Sequence, residues 1–134
     1  MPALELVIIT PEGTVYRGAA DYVQVAAAPR PFGVLPRHAP LLAALQPGAL
    51  VFEARGQRQA VAVSGGLVEV RKGSVVVLAD AAELAADIDV QRAEQAAHRA
   101  RERLGPPVGR DVDVERAERA LQRARNRLEV ARRA

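Results

Sequence analysis

The chain has 134 residues, of which 49% are hydrophobic and 26% are charged, and it contains no cysteine. This length is enough for one compact domain, or for one small domain plus an appendage, but not for two full-sized cores. The lack of cysteine excludes a disulfide scaffold and thiolate metal sites, and two histidines are too few for a histidine-rich metal centre. Serine and threonine occur at two positions each, so hydroxyl nucleophiles are scarce and we do not expect an enzyme.

Charge is distributed unevenly along the chain. Residues 1–86 carry seven basic and seven acidic side chains, whereas residues 87–134 carry 12 arginines and nine carboxylates. The net charge of +3 therefore lies entirely in the C-terminal segment. The first residues lack the pattern of a secretion signal and no window approaches 18 consecutive apolar residues, so we expect a soluble or peripheral protein.

The first 80 residues are typical of short strands separated by turns. Val23 and Val25 alternate with polar or aromatic neighbours, which places both side chains on one face of a strand. No helix-length segment separates the strands, so the pattern favours a small β-sandwich or flattened barrel over a parallel sheet. The adjacent Gly65 and Gly66 indicate a bulge or a close backbone approach. The candidate strands are residues 4–10, 14–18, 21–27, 32–36, 49–55, 58–65, 67–72 and 74–80.

The sequence period changes from two to about 3.6 residues from Ala81 onward. Apolar side chains then recur in two runs, which predicts two helices with a break at residues 105–107. Asp89 and Asp113 precede the runs and are predicted to cap the helices. The predicted apolar seam consists of Val90, Ala93, Ala97, Ala100 and Leu104 on the first helix, and Val114, Ala117, Leu121, Ala124, Leu128 and Ala131 on the second.

The two predicted helices form an internal repeat with an offset of 24 residues. Residues 87–104 and 111–128 are identical at 12 of 18 positions. Either a duplication or the convergence of two antiparallel helices on one amphipathic pattern accounts for this match. Most seam positions are alanine, and a buried CH₂-sized group contributes only about 0.8 kcal/mol. We therefore expect the hairpin to be held together weakly and to open.

The sequence contains no recognisable catalytic or phosphate-loop motif. It has no GxxxxGK[ST] loop and no GxGxxG after a strand, and an esterase or phosphatase would lack a nucleophile or metal site. The basic tail leaves a basic nucleic-acid-binding module as an alternative function. However, the arginines are interleaved with carboxylates, and four aromatic residues offer little stacking surface. A solvated helix face of mixed charge accounts for most of these arginines.

One subset of arginines has a spacing that forms a stripe beside the seam. The stripe consists of Arg92, Arg99 and Arg103 on the first helix and, by the repeat, Arg116, Arg123 and Arg127 on the second. If the hairpin closes, these guanidinium groups converge near Asp89 and Glu83, a composition suited to a polyphosphate. Intrahelical ion pairs are the alternative, and spacing alone favours them. Their acidic partners would be Glu94, Glu102 and Glu118.

Residues 32–48 (FGVLPRHAPLLAALQPG) and 64–94 (SGGLVEVRKGSVVVLADAAELAADIDVQRAE) carry long, ordered motifs. Together with LELVIITPEGTVYRG before them and the Arg/Ala-rich helices after them, they resemble the epsilon subunit of bacterial rotary F-type ATP synthases. The resemblance implies a ten-stranded antiparallel β-sandwich followed by an antiparallel two-helix hairpin. It places the sandwich domain at residues 1–86 and the regulatory hairpin at residues 87–134.

The resemblance also implies a non-catalytic subunit of the central stalk, peripheral at the cytoplasmic face of the bacterial cell membrane. Such subunits contact the gamma subunit and the ring of c subunits and rotate with them, while ATP is made on the alpha and beta subunits. The hairpin folds against the sandwich, or extends toward the alpha and beta subunits to block hydrolysis. A weakly packed seam suits this two-state behaviour. No obligatory cofactor is implied.

A subset of this family binds ATP as a regulatory ligand through an I/L-D-x-x-R-A motif, which stands here at residues 88–93. The motif and the arginine stripe point to the same region. With the resemblance, an ATP site is therefore favoured over intrahelical ion pairs. The predicted ATP-binding residues are Glu83, Ile88, Asp89, Arg92, Ala93, Arg99, Arg123 and Arg127.

Contacts with partner subunits are predicted at Arg30, Phe32 and His38, in and before the GVLP turn. A hydrogen-bonded turn histidine is the alternative for His38. Arg30 departs from the acidic or Gly-rich loop that is usual in the family. Two prolines also stiffen the loop between the helices, and we expect them to hinder extension of the hairpin into one helix.

Overall fold

The computed structural model describes residues 3–27, 30–105 and 113–133. Ten strands precede a short 3-10 helix (Ala85–Asp87) and two α-helices, α1 (Val90–Leu104) and α2 (Val114–Ala131). The strands are β1 (Leu4–Thr10), β2 (Gly13–Ala20), β3 (Tyr22–Val25), β4 (Phe32–Val34), β5 (Leu41–Leu45), β6 (Gly48–Ala54), β7 (Gln57–Val63), β8 (Gly66–Arg71), β9 (Ser74–Ala79) and β10 (Ala82–Leu84).

The strands form two five-stranded sheets that face each other. The strand order is β2-β1-β9-β8-β5 in the first sheet and β10-β7-β6-β3-β4 in the second. This arrangement confirms the predicted ten-stranded sandwich followed by a helical hairpin. The strands pair in antiparallel fashion except for β1 with β9, which run parallel. The expectation of a wholly antiparallel sandwich was wrong at this pair, because β9 follows β8 in an antiparallel hairpin and thereby lies beside β1 in the same direction.

The core lies between the inner faces of the two sheets. Val23 and Val25 are both fully buried, as their alternation predicted. Phe52 is the largest buried side chain, and its ring centroid lies 4.5 Å from that of Tyr16. Each fully buried side chain of this size stabilises the fold by about 1.5–3 kcal/mol. The buried members of this core run from Leu4 to Ala79 and lie in the strands, except for Ala27, which forms an isolated bridge with Leu45.

Two strands, β5 and β10, were missing from the predicted set. β5 pairs only with β8, and its LLAAL sequence lacks a clear alternation. β10 is three residues long and lies in the Ala-rich segment after Ala81, where a helical pattern was expected to begin. The structure instead forms β10 and a 3-10 turn there, and the first α-helix starts only at Val90.

The two helices begin at the predicted caps. Asp89 Oδ1 accepts a hydrogen bond from the Arg92 backbone N–H at 3.0 Å, and Asp113 Oδ1 accepts one from the Arg116 backbone N–H at 3.0 Å. α1 ends at Leu104, which agrees with the predicted break, while residues 106–112 lie outside the described part of the chain.

The seam between the helices is as alanine-rich as the sequence indicated. Its buried members are Ala97, Ala100, Leu121 and Ala124. Val90 and Val114 were expected in the seam but are 45% and 52% exposed. Both are the first residue of a helix, where the side chain tilts toward the N-terminus and away from the turns that form the seam.

The hairpin docks on the outer face of the second sheet. Val130 of α2 is fully buried there, in an apolar cluster whose other members are Val51, Ala60, Ala62, Ala85 and Ile88. Near this cluster, Asn126 Nδ2 lies 2.9 Å from the Gly48 carbonyl oxygen and 3.3 Å from that of Val63. The described structure is therefore the closed state, with α2 held against β6 and β7.

Candidate functional site

A cavity of about 670 Å³ lies between the sandwich and the helical hairpin. The β1–β2 turn, the end of β7 and the segment from Asp80 to Glu83 form one wall. The inward sides of α1 and α2 form the other. Small side chains such as Ala96, Ala100, Ala120 and Ala124 leave room between the helices and the sheet. The alanine content that weakens the seam therefore also opens the cavity.

The two walls of the cavity carry opposite charges. On the sandwich side the charged side chains are Glu12, Asp80 and Glu83. On the helical side they are Arg92, Arg99, Arg103, Arg123 and Arg127. Such a cavity suits an elongated ligand with anionic groups at one end and hydrogen-bond donors at the other.

Helical spacing explains how the arginines reach one cavity. Arg92, Arg99 and Arg103 are separated by seven and four residues, so they share one side of α1. Arg123 and Arg127 do the same on α2. Arg116, the third member of the predicted stripe on α2, is exposed and does not line the cavity. The convergence needs the closed hairpin, because each helix supplies only part of the set.

Among the described residues, the stripe arginines do not form the intrahelical ion pairs that were the alternative to a ligand site. Within residues 3–27, 30–105 and 113–133, no stripe arginine forms an ion pair with Glu94, Glu102 or Glu118. Glu102 instead contacts His98, with 3.1 Å between Oε1 and Nε2. Within the described part of the chain, Arg127 is the one stripe arginine with an acidic partner. Its Nε lies 2.7 Å from Glu83 Oε1, between α2 and β10.

The I-D-x-x-R-A motif divides into structural and cavity-facing positions. Ile88 is buried against Val130, and Ala93 is fully buried. Asp89 is exposed and caps α1 through one carboxylate oxygen. Of the motif residues, Arg92 alone lines the main cavity. A smaller depression at the start of α1 is lined by Asp89, Arg92 and Arg99, so the carboxylate lies beside the arginine stripe.

Several residues of the cavity were missing from the predicted site. Arg103 belongs to the stripe but was not included among the binding residues. Glu12 and Asp80 come from the β1–β2 turn and the end of β9, and nothing in the local sequence connects them to the helices. Asn126 also lines the cavity, although it lay outside both the seam and the stripe patterns.

The predicted partner-contact residues lie away from this cavity, around β4 and the turn that follows it. Arg30 is exposed, and Phe32 and His38 are half-buried. His38 Nδ1 lies 2.6 Å from the Ala39 carbonyl oxygen, so this nitrogen must carry a proton to donate. The Phe32 and His38 rings are 6.1 Å apart between centroids. Leu35, at the tip of the same turn, is 60% exposed.

A second exposed feature is an apolar row across the outer face of the first sheet. Strand register places Ile9, Leu78, Leu67 and Ala44 side by side on β1, β9, β8 and β5. Leu67 and Leu78 are 46% and 50% exposed, and Leu42 on the same face is 64% exposed. Apolar patches of this kind mark contact surfaces for other macromolecules. Neither α1 nor α2 is long and apolar enough to cross a membrane.

Comparison with known proteins identifies the family. The β-sandwich domain of the ATP synthase delta/epsilon chain matches residues 3–85, and its long α-helix domain matches residues 86–132. The ATP synthase epsilon chain of Halalkalibacterium halodurans is 49% identical over 104 residues, which cover 78% of each chain. That of Bacillus subtilis is 49% identical over 104 residues, with 78% of this chain and 79% of the relative covered.

Solved structures share the fold at lower sequence identity. A chain of the Euglena gracilis mitochondrial ATP synthase superposes with a TM-score of 0.81 and 23% identity, over 98% of this chain and 82% of that chain. A chain from the central stalk and c-ring structure of the Tetrahymena thermophila mitochondrial ATP synthase gives a TM-score of 0.56 at 12% identity, over 98% and 95%.

These comparisons define a class of rotary ATP synthase subunits. The chain belongs to the ATP synthase delta/epsilon chain family, and the curated relatives described above are epsilon chains. This result confirms the family resemblance seen in the sequence. The nucleic-acid-binding alternative receives no support from the comparisons.

Proposed function

We propose that this chain is a rotor subunit in the central stalk of a proton-translocating F-type ATP synthase and has no catalytic site of its own. It would lie peripherally at the cytoplasmic face of a bacterial cell membrane. Membership of the family and its resemblance to bacterial epsilon chains support this role. As a rotor subunit, the chain couples rotation of the c ring to ATP synthesis on the alpha and beta subunits.

We further propose that ATP is its regulatory ligand, bound in the cavity between sandwich and hairpin. The single observation that carries this proposal is the convergence of five arginines from α1 and α2 opposite a carboxylate wall. The phosphates would contact Arg92, Arg99, Arg123 and Arg127, with Arg103 adding charge nearby. Guanidinium groups form strong, often bidentate hydrogen bonds with phosphate.

The carboxylates have a different role, which follows from charge. A carboxylate repels phosphate, so Glu83 and Asp89 would accept hydrogen bonds from the adenine amino group or the ribose hydroxyls. Asp89 retains one oxygen for this purpose, because only Oδ1 accepts the capping hydrogen bond. Ile88 and Ala93 would contribute by fixing the start of α1 through their buried side chains.

ATP bound in this cavity would stabilise the closed hairpin, because its phosphates bridge arginines of both helices. A ligand at 100 times its dissociation constant adds about 2.7 kcal/mol to the state that binds it. The small side chains of the seam contribute little to closure, so this amount is enough to shift the population. Without ATP, the opened hairpin would reach the alpha and beta subunits and inhibit hydrolysis.

The partners are assigned to different surfaces of the sandwich. We propose that the apolar row with Leu67 and Leu78 contacts the gamma subunit, since the hairpin docks on the opposite face and leaves this row free. We propose that Arg30, Phe32 and His38 contact the c ring through the region around β4. Arg30 before this strand and Arg37 after it make the region basic, so the surface that receives it would carry carboxylates.

Calorimetric titration of the full chain with ATP tests the regulatory site. The Arg92→Ala variant keeps the backbone N–H that Asp89 caps but loses the guanidinium group. It should bind ATP about 10- to 100-fold more weakly, as expected for charge-assisted hydrogen bonds worth about 1.5–3 kcal/mol. Arg119→Ala removes the same charge from an exposed site away from the cavity and should bind like the wild type. Equal affinity in all three proteins would exclude the site.

Co-purification with the gamma subunit tests the rotor assignment. Leu67→Glu places a charge in the middle of the apolar row and should reduce recovery of the complex at least tenfold. Val114→Glu introduces the same charge at a similarly exposed position on the hairpin and should leave recovery unchanged. For the turn after β4, His38→Ala should weaken assembly with the c ring. Unchanged assembly would leave His38 as a hydrogen-bonded turn histidine.

A further inference from the structure

Asn126 makes the side-chain hydrogen bonds that tie the hairpin to the sandwich. Its Nδ2 donates to the carbonyl oxygens of Gly48, at 2.9 Å, and Val63, at 3.3 Å. Gly48 and Val63 are register partners on β6 and β7, so one amide spans both strands. No other hydrogen bond from a helix side chain to the sandwich occurs among the described residues.

The chemistry of the two acceptors determines how the amide is oriented. A backbone carbonyl only accepts hydrogen bonds, so the NH₂ group must face the strands and the Oδ1 atom must face away. Both N–H bonds of the amide are then used. The remaining Oδ1 is an acceptor, and it offers nothing to a phosphate group. Asn126 therefore lines the cavity without the means to bind the anionic part of a ligand.

Asn126 lies close in sequence to two arginines of the cavity, so its hydrogen bonds also affect where those arginines lie. Arg123 lies three residues before it and Arg127 one residue after it, and all three line the same cavity. Two hydrogen bonds from one amide to neighbouring strands define both the height and the rotation of α2 above the sheet. Apolar contacts such as that of Val130 are less directional and tolerate rotation of the helix.

We propose that Asn126 is a positioning residue that locks the rotation of α2 on β6 and β7 and thereby aims Arg123 and Arg127 into the nucleotide cavity. This inference rests on the proposed ATP site for its functional consequence. The lock itself depends only on the observed hydrogen bonds. Two separate measurements on the full chain therefore test the two parts.

Amide hydrogen exchange of α2 without ATP tests the lock, and calorimetry at a temperature well below unfolding tests the site. Asn126→Leu preserves the approximate volume but removes the donors. Asn126→Asp preserves the shape but turns a carboxylate toward two carbonyl oxygens. Gln122→Leu is the matched control, because it removes an exposed amide one turn earlier that forms no hydrogen bond among the described residues.

Both Asn126 variants should increase the exchange rate of α2 and weaken ATP binding by about 5- to 100-fold, the range expected for two lost neutral hydrogen bonds. The aspartate variant should show the larger change, and Gln122→Leu should show neither. A lower unfolding temperature with unchanged exchange and unchanged affinity would overturn the proposal. Faster exchange with unchanged affinity would overturn the positioning role, because the arginines would then be placed without Asn126.

The failure of the ATP site would be recognised separately. If the wild type binds no ATP, the proposed regulatory ligand is wrong. The hydrogen-exchange measurement then tests by itself whether Asn126 fixes α2 on the sheet. Faster exchange in Asn126→Asp would then support the lock on β6 and β7. Exchange equal to that of the wild type would overturn it.

Discussion

Arg127 Nε lies 2.7 Å from Glu83 Oε1 and so joins the C-terminal part of α2 to the edge strand β10. The N–H bond does not point at the carboxylate, since the buried Nε has no hydrogen-bond partner among the described residues. The contact is therefore an ion pair without an aligned hydrogen bond. A phosphate that aligned with this N–H would satisfy the buried donor and free Glu83 to accept from another part of a ligand.

A double-mutant cycle with Glu83→Gln and Arg127→Met measures this ion pair. We expect a coupling energy of about 0.5–1 kcal/mol without ATP, because both side chains are partly exposed and the contact is poorly aligned. Urea unfolding of the four proteins provides the free energies. The exposed pair of Glu115 and Arg119, with 3.8 Å between its charged atoms, should give a smaller coupling. Zero coupling for Glu83 and Arg127 would mean that the two side chains separate in solution.

The sandwich should fold without the hairpin. A chain that ends at Ala86 retains the whole buried core from Leu4 to Ala79, and its charges are balanced. Calorimetry should show one cooperative thermal transition. Its midpoint should be lower than in the full chain, because Val51, Ala60 and Ala62 lose their contacts with Val130. Loss of the transition would show that the hairpin is an integral part of the core.

Gly66 should tolerate no side chain. Its φ is +122°, and an added Cβ would lie 2.0 Å from the Leu78 carbonyl oxygen, which confirms the predicted close backbone approach. Gly66→Ala should therefore destabilise the protein by about 3 kcal/mol or more, through a clash in addition to backbone strain. Gly56, with φ of +75° and open space around it, is the control, and Gly56→Ala should cost only about 1 kcal/mol. Equal costs in urea unfolding would contradict the close approach.

Two substitutions of Asp89 separate its capping role from ligand binding. Asp89→Ser keeps an N-cap oxygen but removes the carboxylate, whereas Asp89→Ala removes both. Circular dichroism should show normal helix content for the serine variant. The alanine variant should lose about 1 kcal/mol of stability. If Asp89 accepts hydrogen bonds from ATP, both variants should bind ATP about tenfold more weakly. Wild-type affinity in Asp89→Ser would restrict Asp89 to the cap.

The sequence alone predicted those strands and helices in which buried and exposed residues alternate regularly. Val23 and Val25 alternate with less apolar residues, and the structure buries both in the core. Asp89 and Asp113 cap α1 and α2 because a side-chain oxygen before an amphipathic run satisfies an otherwise unpaired backbone N–H. The spacing of Arg92, Arg99 and Arg103 likewise placed them on one side of α1 before any tertiary contact was considered.

Tertiary structure decided which faces meet. The parallel pairing of β1 with β9 and the contact between Arg127 and Glu83 join residues that are more than 40 positions apart in the sequence. The edge strand β10 lies in a segment that has no periodic pattern. Asn126 is one polar residue among many on α2, and its role appears only when the strand carbonyls of Gly48 and Val63 are in place. Sequence periodicity predicts on which face of a helix or strand a residue lies. Its partner across the fold depends on how the two sheets and the hairpin pack together, which is a property of the whole chain.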